Sequence, residues 1–429
     1  MEKQAILAIG VFLLTYAFII SEKVHRTIVA MIGGIIMLAL GVVSQETALH
    51  HIDFNTLGLL SGMMIIVAIT GETGLFKYAA IIAAKKAKGD PLRILLSLGI
   101  ITAVSSAFLD NVTTVLLMVP VTFSITRQLK VNPEPYLITE IIASNIGGTA
   151  TLIGDPPNIM IGSAVKELSF MSFINNLALI SAVILIVVLA ILCLVYRKGL
   201  KTTEEQKSGL MGLDEKKELK DRVLLKKSLI VLGLTIMGFF LHQLLHLESA
   251  TVALGGAFML LLITSKTDHD LEHAFSRVEW TTIFFFIGLF VVVSGLVETG
   301  IISSLARSAI EFTGGDIKVT AILIIWLSAI ASAFVDNIPF VATMIPMIQD
   351  MGTMGIANLE PLWWSLALGA CLGGNGSLIG ASANLIVAGL AAQEGTHISF
   401  MRFFAVGFPL MLLSVLVATV YVYIRYLMV

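Results

Sequence analysis

Three aspartates stand in otherwise apolar stretches of this 429-residue chain: Asp110, Asp155 and Asp336. A lone carboxylate at membrane depth costs roughly 3 kcal/mol even on insertion scales, so its default role is to carry a proton or a coupling ion. Asp110 and Asp336 each open an Asp-Asn pair, in Asp110-Asn111-Val112-Thr113-Thr114 and Asp336-Asn337-Ile338-Pro339. For these two a structural role is equally open, namely capping the free N–H groups of the helices that follow. Asp155 lies in the run from Gly147-Gly148-Thr149 to Asp155-Pro156-Pro157-Asn158. A second run, Gly373-Gly374-Asn375-Gly376-Ser377 to Ala381-Ser382-Ala383-Asn384, repeats that pattern with Ala381 where the first has Asp155. Because the pattern survives without it, Asp155 is expected to act in proton or cation coupling. Glycines let the chain leave helical geometry, and paired prolines stop a helix from continuing. A helix that stops inside a membrane offers free N–H groups at one end and free carbonyls at the other. The flanking Asn, Thr and Ser side chains add donors and acceptors without fixed charge, which suits a small hydroxylated or oxygen-rich substrate.

The elements that position these groups are membrane helices. The chain is 57% hydrophobic and 13% charged, about half the charge of a soluble domain, which excludes a soluble globular fold. Its net charge of −2 gives no field that would draw nucleic acid. Much of the charge is concentrated in residues 197–227, a linker flanked by apolar sequence. Full spans are predicted at 5–20, 27–43, 55–71, 136–162, 173–196, 228–246, 250–265, 281–297, 361–390 and 404–427. The stretches 92–127 and 317–350 are interrupted by the Asp-Asn pairs and read as helical hairpins that enter and leave on one side. With the linker in the cytoplasm, only Lys3, Lys166, Arg307, Lys318 and Arg425 of the basic residues fall outside. That bias predicts both termini outside. The first apolar run is read as a retained span, since Lys3 is flanked by Glu2 and no small-residue cleavage site follows.

SAFLDNVTTVLLMVP at 106–120 and SAFVDNIPFVATMIP at 332–346 share 8 of 15 residues at an offset of 226. The same offset carries Glu72-Thr73-Gly74 onto Glu298-Thr299-Gly300, and Asn158 onto Asn384. Polar, glycine and proline positions kept in register over this length indicate a duplication. The expected fold is therefore an all-α polytopic membrane protein of about ten transmembrane helices plus two re-entrant hairpins. The first repeat covers 1–196, the cytoplasmic linker 197–227 and the second repeat 228–429. Each repeat has an odd number of crossings, so the second copy is inverted relative to the first, as in secondary transporters.

Weaker signals are read conservatively. His242-Gln243-Leu244-Leu245-His246 places two histidines four apart on a predicted helix face, but Gln243 stands where a zinc protease needs Glu. It reads as a solvated interfacial pair, with an intramembrane metalloenzyme as the rival of another class. Asp268-His269-Asp270 with Glu272-His273 reads as a polar loop, Trp363-Trp364 as an interface anchor, and Cys193 and Cys371 as core packing. Glu72 and Glu298 read as structural helix ends. No phosphate-binding glycine loop is present, and no cofactor or metal is expected.

The Asp-Asn hairpins, the GGTATLIGDPPNIMIG stretch and GGNGSLIGASANLI resemble the ion-transporter superfamily. The closest likeness is to the branch of arsenite-efflux permeases, NhaD-type sodium/proton antiporters and the P protein. The resemblance implies a scaffold built from the first spans of each repeat (within 5–71 and 228–297) and a transport unit built from the hairpins and broken helices. It also implies substrate binding by Asn111, Thr113, Thr114, Asn145, Gly148, Thr149, Thr151 and Asn158, with Asn337, Asn375, Ser377 and Asn384 from the second copy. Carboxylate symporters of the superfamily carry Ser-Asn-Thr in both repeats. Here Ser144-Asn145 is followed by Ile146, and the second copy reads Ala370-Cys371-Leu372, which argues against dicarboxylate transport. The function expected is proton-coupled efflux of arsenite or antimonite across the cell membrane, with a sodium/proton antiporter as the first alternative and a channel as another. A cytoplasmic ATPase is a partner the resemblance allows.

Overall fold

A computed structural model describes residues 2–21 and 23–428, without the side chain of Glu2. Met1, Glu22 and Val429, at the ends of the expected repeats and in the loop after the first span, lie outside the described residues. The described residues are helical with no strand.

The first repeat contains α1 (Glu2–Ser21), α2 (Arg26–Ala39), α3 (Gln45–His51), α4 (Phe54–Glu72), α5 (Leu75–Lys86), α6 (Pro91–Leu109), α7 (Asn111–Leu129), α8 (Glu134–Thr149) and α9 (Pro156–Ala164). Helix α10 (Phe170–Phe173) then runs through a π-turn into α11 (Leu179–Tyr196). The linker holds α12 (Glu204–Met211) and a short 3-10 turn at Glu215–Glu218. The second repeat contains α13 (Arg222–Leu241), α14 (Ser249–Thr264), α15 (Asp268–Ser276), α16 (Trp280–Glu298), α17 (Ile301–Thr313), α18 (Ile317–Phe334), α19 (Asn337–Thr353), α20 (Glu360–Gly373), α21 (Ser382–Gln393) and α22 (Phe400–Val422). Helices α1 to α9 thus recur in the same order as α13 to α21. The duplication read from motifs at a common offset extends through the element order.

Local chemistry sets the boundaries. Asp53, Asp221 and Ser399 cap α4, α13 and α22 through their side chains, and Asp90 with Pro91 starts α6. Among the described residues nine helices are long and apolar enough to cross a bilayer. They include three hairpin arms, α6, α7 and α18. The expected 27–43 span is longer than its helix, since α2 has 14 residues, while α14 keeps the length read for 250–265 with 16 residues. The apolar signal of the expected 27–43 span runs past Ala39 into a turn at Gly41, where φ is +65°. Lipid-sized apolar side chains, among them Leu14, Ile186, Leu194 and Leu262, face outward.

The repeats interlock. Helix α2 packs on α16, and α14 packs on α4. At the two crossings a Cβ on Gly62 would stand 2.6 Å from the Ala253 carbonyl carbon, and one on Gly288 2.5 Å from that of Ala30. Only glycine permits this approach, and the positions are equivalent in the two copies. Glu72 pairs with His273 of α15 at 3.1 Å, and Glu298 with His51 of α3 at 3.0 Å. Each expected helix-end glutamate therefore ties its repeat to the other. Residues Asp268 to Ser276 form a capped helix rather than a loop, because the Thr267 hydroxyl accepts from Asp270 N.

Two further expectations are corrected. Helix α13 ends at Leu241, and His246 takes a left-handed φ of +52°, so His242 and His246 do not share a helix face. Trp363 and Trp364 are buried, with the Trp364 indole N–H donating to Glu360 at 3.1 Å. They are core residues of α20 because that helix is covered by α18, α19 and α22.

Candidate functional site

Helices α8 and α20 stop at Thr149 and Gly373, and the chain resumes helical geometry at Pro156 and Ser382. These are the two breaks expected within 136–162 and 361–390. Side chains hold both breaks open with matching bonds. Thr151 Oγ1 donates to the Ala107 carbonyl, and Ser377 Oγ donates to that of Ala333. Asn158 Nδ2 donates to Thr151 O at 2.9 Å and Thr149 O at 3.1 Å. Asn384 Nδ2 donates to Ser377 O at 2.9 Å and Gly374 O at 2.7 Å. Backbone carbonyls freed by the break are thereby satisfied, as buried chain requires. Gly148 is needed for closure, since a Cβ there would lie 2.5 Å from the Gly154 carbonyl oxygen. Thr149 Oγ1 donates to Asn145 O at 2.7 Å, the ordinary back-bond of a helical threonine. Thr149, Thr151, Ser377 and Gly148 therefore build the breaks.

Helix α9 packs on α19, the second hairpin, and α21 packs on α7, the first. The helix after each break thus packs on the hairpin of the opposite repeat, and the two tips converge at Asp155 of the first break. Asn111 Nδ2 donates to Asn145 Oδ1 at 3.1 Å and to Asp155 Oδ1 at 3.3 Å. Asn337 Nδ2 reaches the same Asp155 Oδ1 at 3.5 Å. Asn145 Nδ2 donates to Asn375 Oδ1 at 2.9 Å and Asn384 Oδ1 at 3.0 Å. Cys371, the repeat counterpart of Asn145, borders this network through a 3.5 Å contact to Asn158 Oδ1. It lies at the site, not in plain core packing.

Six of the expected residues, Asn111, Asn145, Asp155, Asn337, Asn375 and Asn384, form one continuous buried chain of polar groups. Three buried oxygens around it have no partner among the described residues: Asn111 Oδ1, Asp155 Oδ2 and, close to the first tip, Thr114 Oγ1. Buried oxygens left in this way are free to accept from a water, an ion or a ligand.

Asp110 and Asp336 are placed otherwise. Asp110 accepts from Thr113 N at 2.8 Å and from Thr113 Oγ1 at 2.6 Å, so both residues are used at the tip itself. Asp336 caps α19 through Ile338 N at 3.1 Å, accepts from Ser382 Oγ at 2.8 Å and forms an ion pair with Arg26. The Arg26 guanidinium also donates to Ser382 Oγ at 2.6 Å and lies 5.0 Å from the Phe285 ring centre. Arg26, Asp336, Ser382, His25 and Phe334 line a cavity of about 280 Å³ that reaches the second tip. Sequence reading placed Arg26 among the loop charges. The signal it lacked was the 310-residue separation from Asp336, which only the fold closes. It also passed over Glu140, a carboxylate inside the predicted 136–162 span whose counterpart is Leu366.

Outward apolar helices, interlocked repeats and a polar chain at two broken helices define a polytopic membrane transporter. Comparison with known proteins gives the family. Residues 16–369 match the CitMHS family, described as citrate transporter, and the chain belongs to it. It is 41% identical over 430 residues to an uncharacterized transporter of Mycobacterium tuberculosis, covering 99% of both chains. It is 36% identical over 510 residues to the P protein of Homo sapiens, covering all of this chain and 61% of that protein. The fold is that of the Alcanivorax borkumensis YdaH transporter, with a TM-score of 0.60 at 13% identity over 99% of this chain and 98% of that one.

Proposed function

We propose that this protein is a proton-coupled secondary transporter working by alternating access, and that it exports arsenite or antimonite across the cell membrane. The carrying observation is Asp155. It is fully enclosed, it is approached by one asparagine from each hairpin tip, and its Oδ2 is unpaired. A carboxylate shared by two tips can take a proton or a cation only by changing the contacts of both, which is how an ion binding event would bias two packings. The hairpins and broken helices move as the transport unit against α1, α2, α13 and α14, with the 197–227 linker in the cytoplasm and the termini outside.

The amides of Asn111, Asn145, Asn337, Asn375 and Asn384 suit a small neutral hydroxylated species, which both donates and accepts. Citrate, the namesake of the family, fits less well. A free tricarboxylate would meet Asp155, and among the described residues the one cationic side chain bonded to these carboxylates and amides is Arg26, at the edge. Sodium/proton exchange is the second reading, favoured by the unpaired Asp155 Oδ2 and Asn111 Oδ1, both oxygen ligands of the kind hard cations take. Proteoliposomes with an internal pH dye separate the readings. Proton movement on adding arsenite or antimonite, and none with sodium, supports efflux of the hydroxylated species. A response to sodium alone replaces it with the antiporter, and a response to citrate alone overturns both.

A further inference from the structure

Glu140 is fully buried in α8. Thr122 of α7 donates to its Oε1, and its Oε2 has no partner among the described residues. Ionisable side chains on the helices packed against α8 are Arg93, Arg127, Cys193, Tyr196, Glu360 and Cys371. Among the described residues none of them makes a hydrogen bond or ion pair with Glu140, and neither does Glu134 or Tyr136 of α8 itself. A buried carboxyl group with a free oxygen and no countercharge is expensive to keep unless it is used.

Its surroundings give that use a direction. Thr114, Thr122 and Thr126 are all buried on α7; Thr122 and Thr126, four apart, share a face, and Thr114 precedes Thr122 by eight residues with the buried Met118 between them. Thr114 lies near the tip, beside Asn111, while Thr126 precedes the exposed Arg127 at the far end of the helix. Glu140 meets this face at Thr122. Along α8 it lies about 8 Å from Asn145 on one side and about 9 Å from the first residue of the helix on the other. In the second repeat the counterparts of Thr114, Thr122, Thr126 and Glu140 are Phe340, Ile348, Gly352 and Leu366. The same scaffold is thus built there without any of the four polar groups, and packing does not explain them.

We propose that Glu140, held by Thr122, is a second proton-binding site, and that Thr122 and Thr126 lead from it toward the end of the first hairpin that carries Arg127. The inference rests on the proton-coupled reading of Asp155. A proton leaving Asp155 passes to the Glu140 carboxylate and from there to water at the helix end, so charge and mass balance without a further reactant.

The test compares wild type, Glu140→Gln, Thr122→Val and Asp155→Asn in proteoliposomes, with arsenite and sodium offered in turn. Glu140→Gln is expected to lower pH-gradient-driven transport about a hundredfold, the low end of what a positioned proton carrier contributes. Substrate-for-substrate exchange, in which no net proton crosses, should stay at the wild-type level. Thr122→Val should show the same split more weakly. Equal loss of both modes marks a structural role and overturns the proposal, as does unchanged gradient-driven transport. Infrared difference spectra of the purified protein give a readout that needs no substrate. A carboxylic-acid band that follows bulk pH and disappears in Glu140→Gln is expected, and its absence from wild type or its persistence in the variant overturns the assignment. Coupling lost in Asp155→Asn but kept in Glu140→Gln removes this inference alone. Coupling kept in Asp155→Asn removes the reading beneath it.

Discussion

Asp110 and Asp336 occupy equivalent places in the two repeats yet are held differently. Asp110 adopts φ +72° and ψ 156°, a region that glycine alone enters freely, whereas Asp336 sits at φ −47°. Strain of this kind costs on the order of 1–3 kcal/mol. Replacing Asp110 by Gly or Ala loses the same cap bonds, but Gly also relieves the backbone. Asp110→Gly is therefore expected to be more stable than Asp110→Ala by about 1 kcal/mol, read from thermal unfolding in detergent. Equal stabilities would mean that the tip stores no strain. At the other tip the Arg26–Asp336 pair is mostly enclosed. Removing one partner of such a pair leaves a stranded charge and costs about 3 kcal/mol, whereas removing both costs less. Arg26→Gln and Asp336→Asn should each lower the unfolding midpoint more than the double variant does. Additive losses in this cycle would show that the two side chains do not act as a pair.

At the scale of elements, the linker is a strap and not a free tether. Lys85 bonds Glu215 at 2.6 Å, Lys77 pairs with Glu218 at 2.7 Å, and Lys220 N donates to the Thr73 carbonyl at 3.1 Å. The Lys85 ammonium holds the half-buried Glu215 carboxyl below its ordinary range. A carboxylate depressed in the docked state stabilises docking above its free value and loses that contribution as pH falls through the docked value. Hydrogen exchange of residues 215–220 should therefore be slow at neutral pH and accelerate below about pH 4, in the carboxylate range. Exchange that ignores pH, once corrected for its intrinsic rate, would show that these ion pairs do not secure the strap. The sequence showed the charge of this segment but not its docking, because Lys85 and Glu215 are 130 residues apart. The same limit applies to Arg26. Hairpins and breaks, by contrast, were legible because Asp-Asn, Gly-Gly and Pro-Pro are local signals of helix ends and starts: Asp110 and Asp336 precede α7 and α19, Gly147-Gly148 lie in the last turn of α8, and Pro156-Pro157 open α9. The asparagine chain was legible as a set of residues, while which of them build the break and which face inward depended on side-chain geometry.

At the scale of the whole molecule, two copies of one unit are interlocked through Gly62 with Ala253 and Gly288 with Ala30, and the helix after each break packs on the other copy's hairpin. Shared backbone supports nearly the same architecture twice, and the two copies differ at Asp155 against Ala381, Asn145 against Cys371 and Glu140 against Leu366, the positions to which the proposed function is assigned. Helix order and repeat could be read from sequence because an offset of 226 preserves them. The interlocking could not, since it arises from contacts between copies. Asp155, a carboxylate reached from both tips, is proposed to couple protons to transport. The most direct measurement is substrate-induced proton movement in proteoliposomes of wild type, Asp155→Asn, Asp110→Asn and Asp336→Asn, reconstituted at equal density. Proton movement should vanish in Asp155→Asn and persist, at reduced rate, in the other two. Proton movement undiminished in Asp155→Asn would contradict the claim.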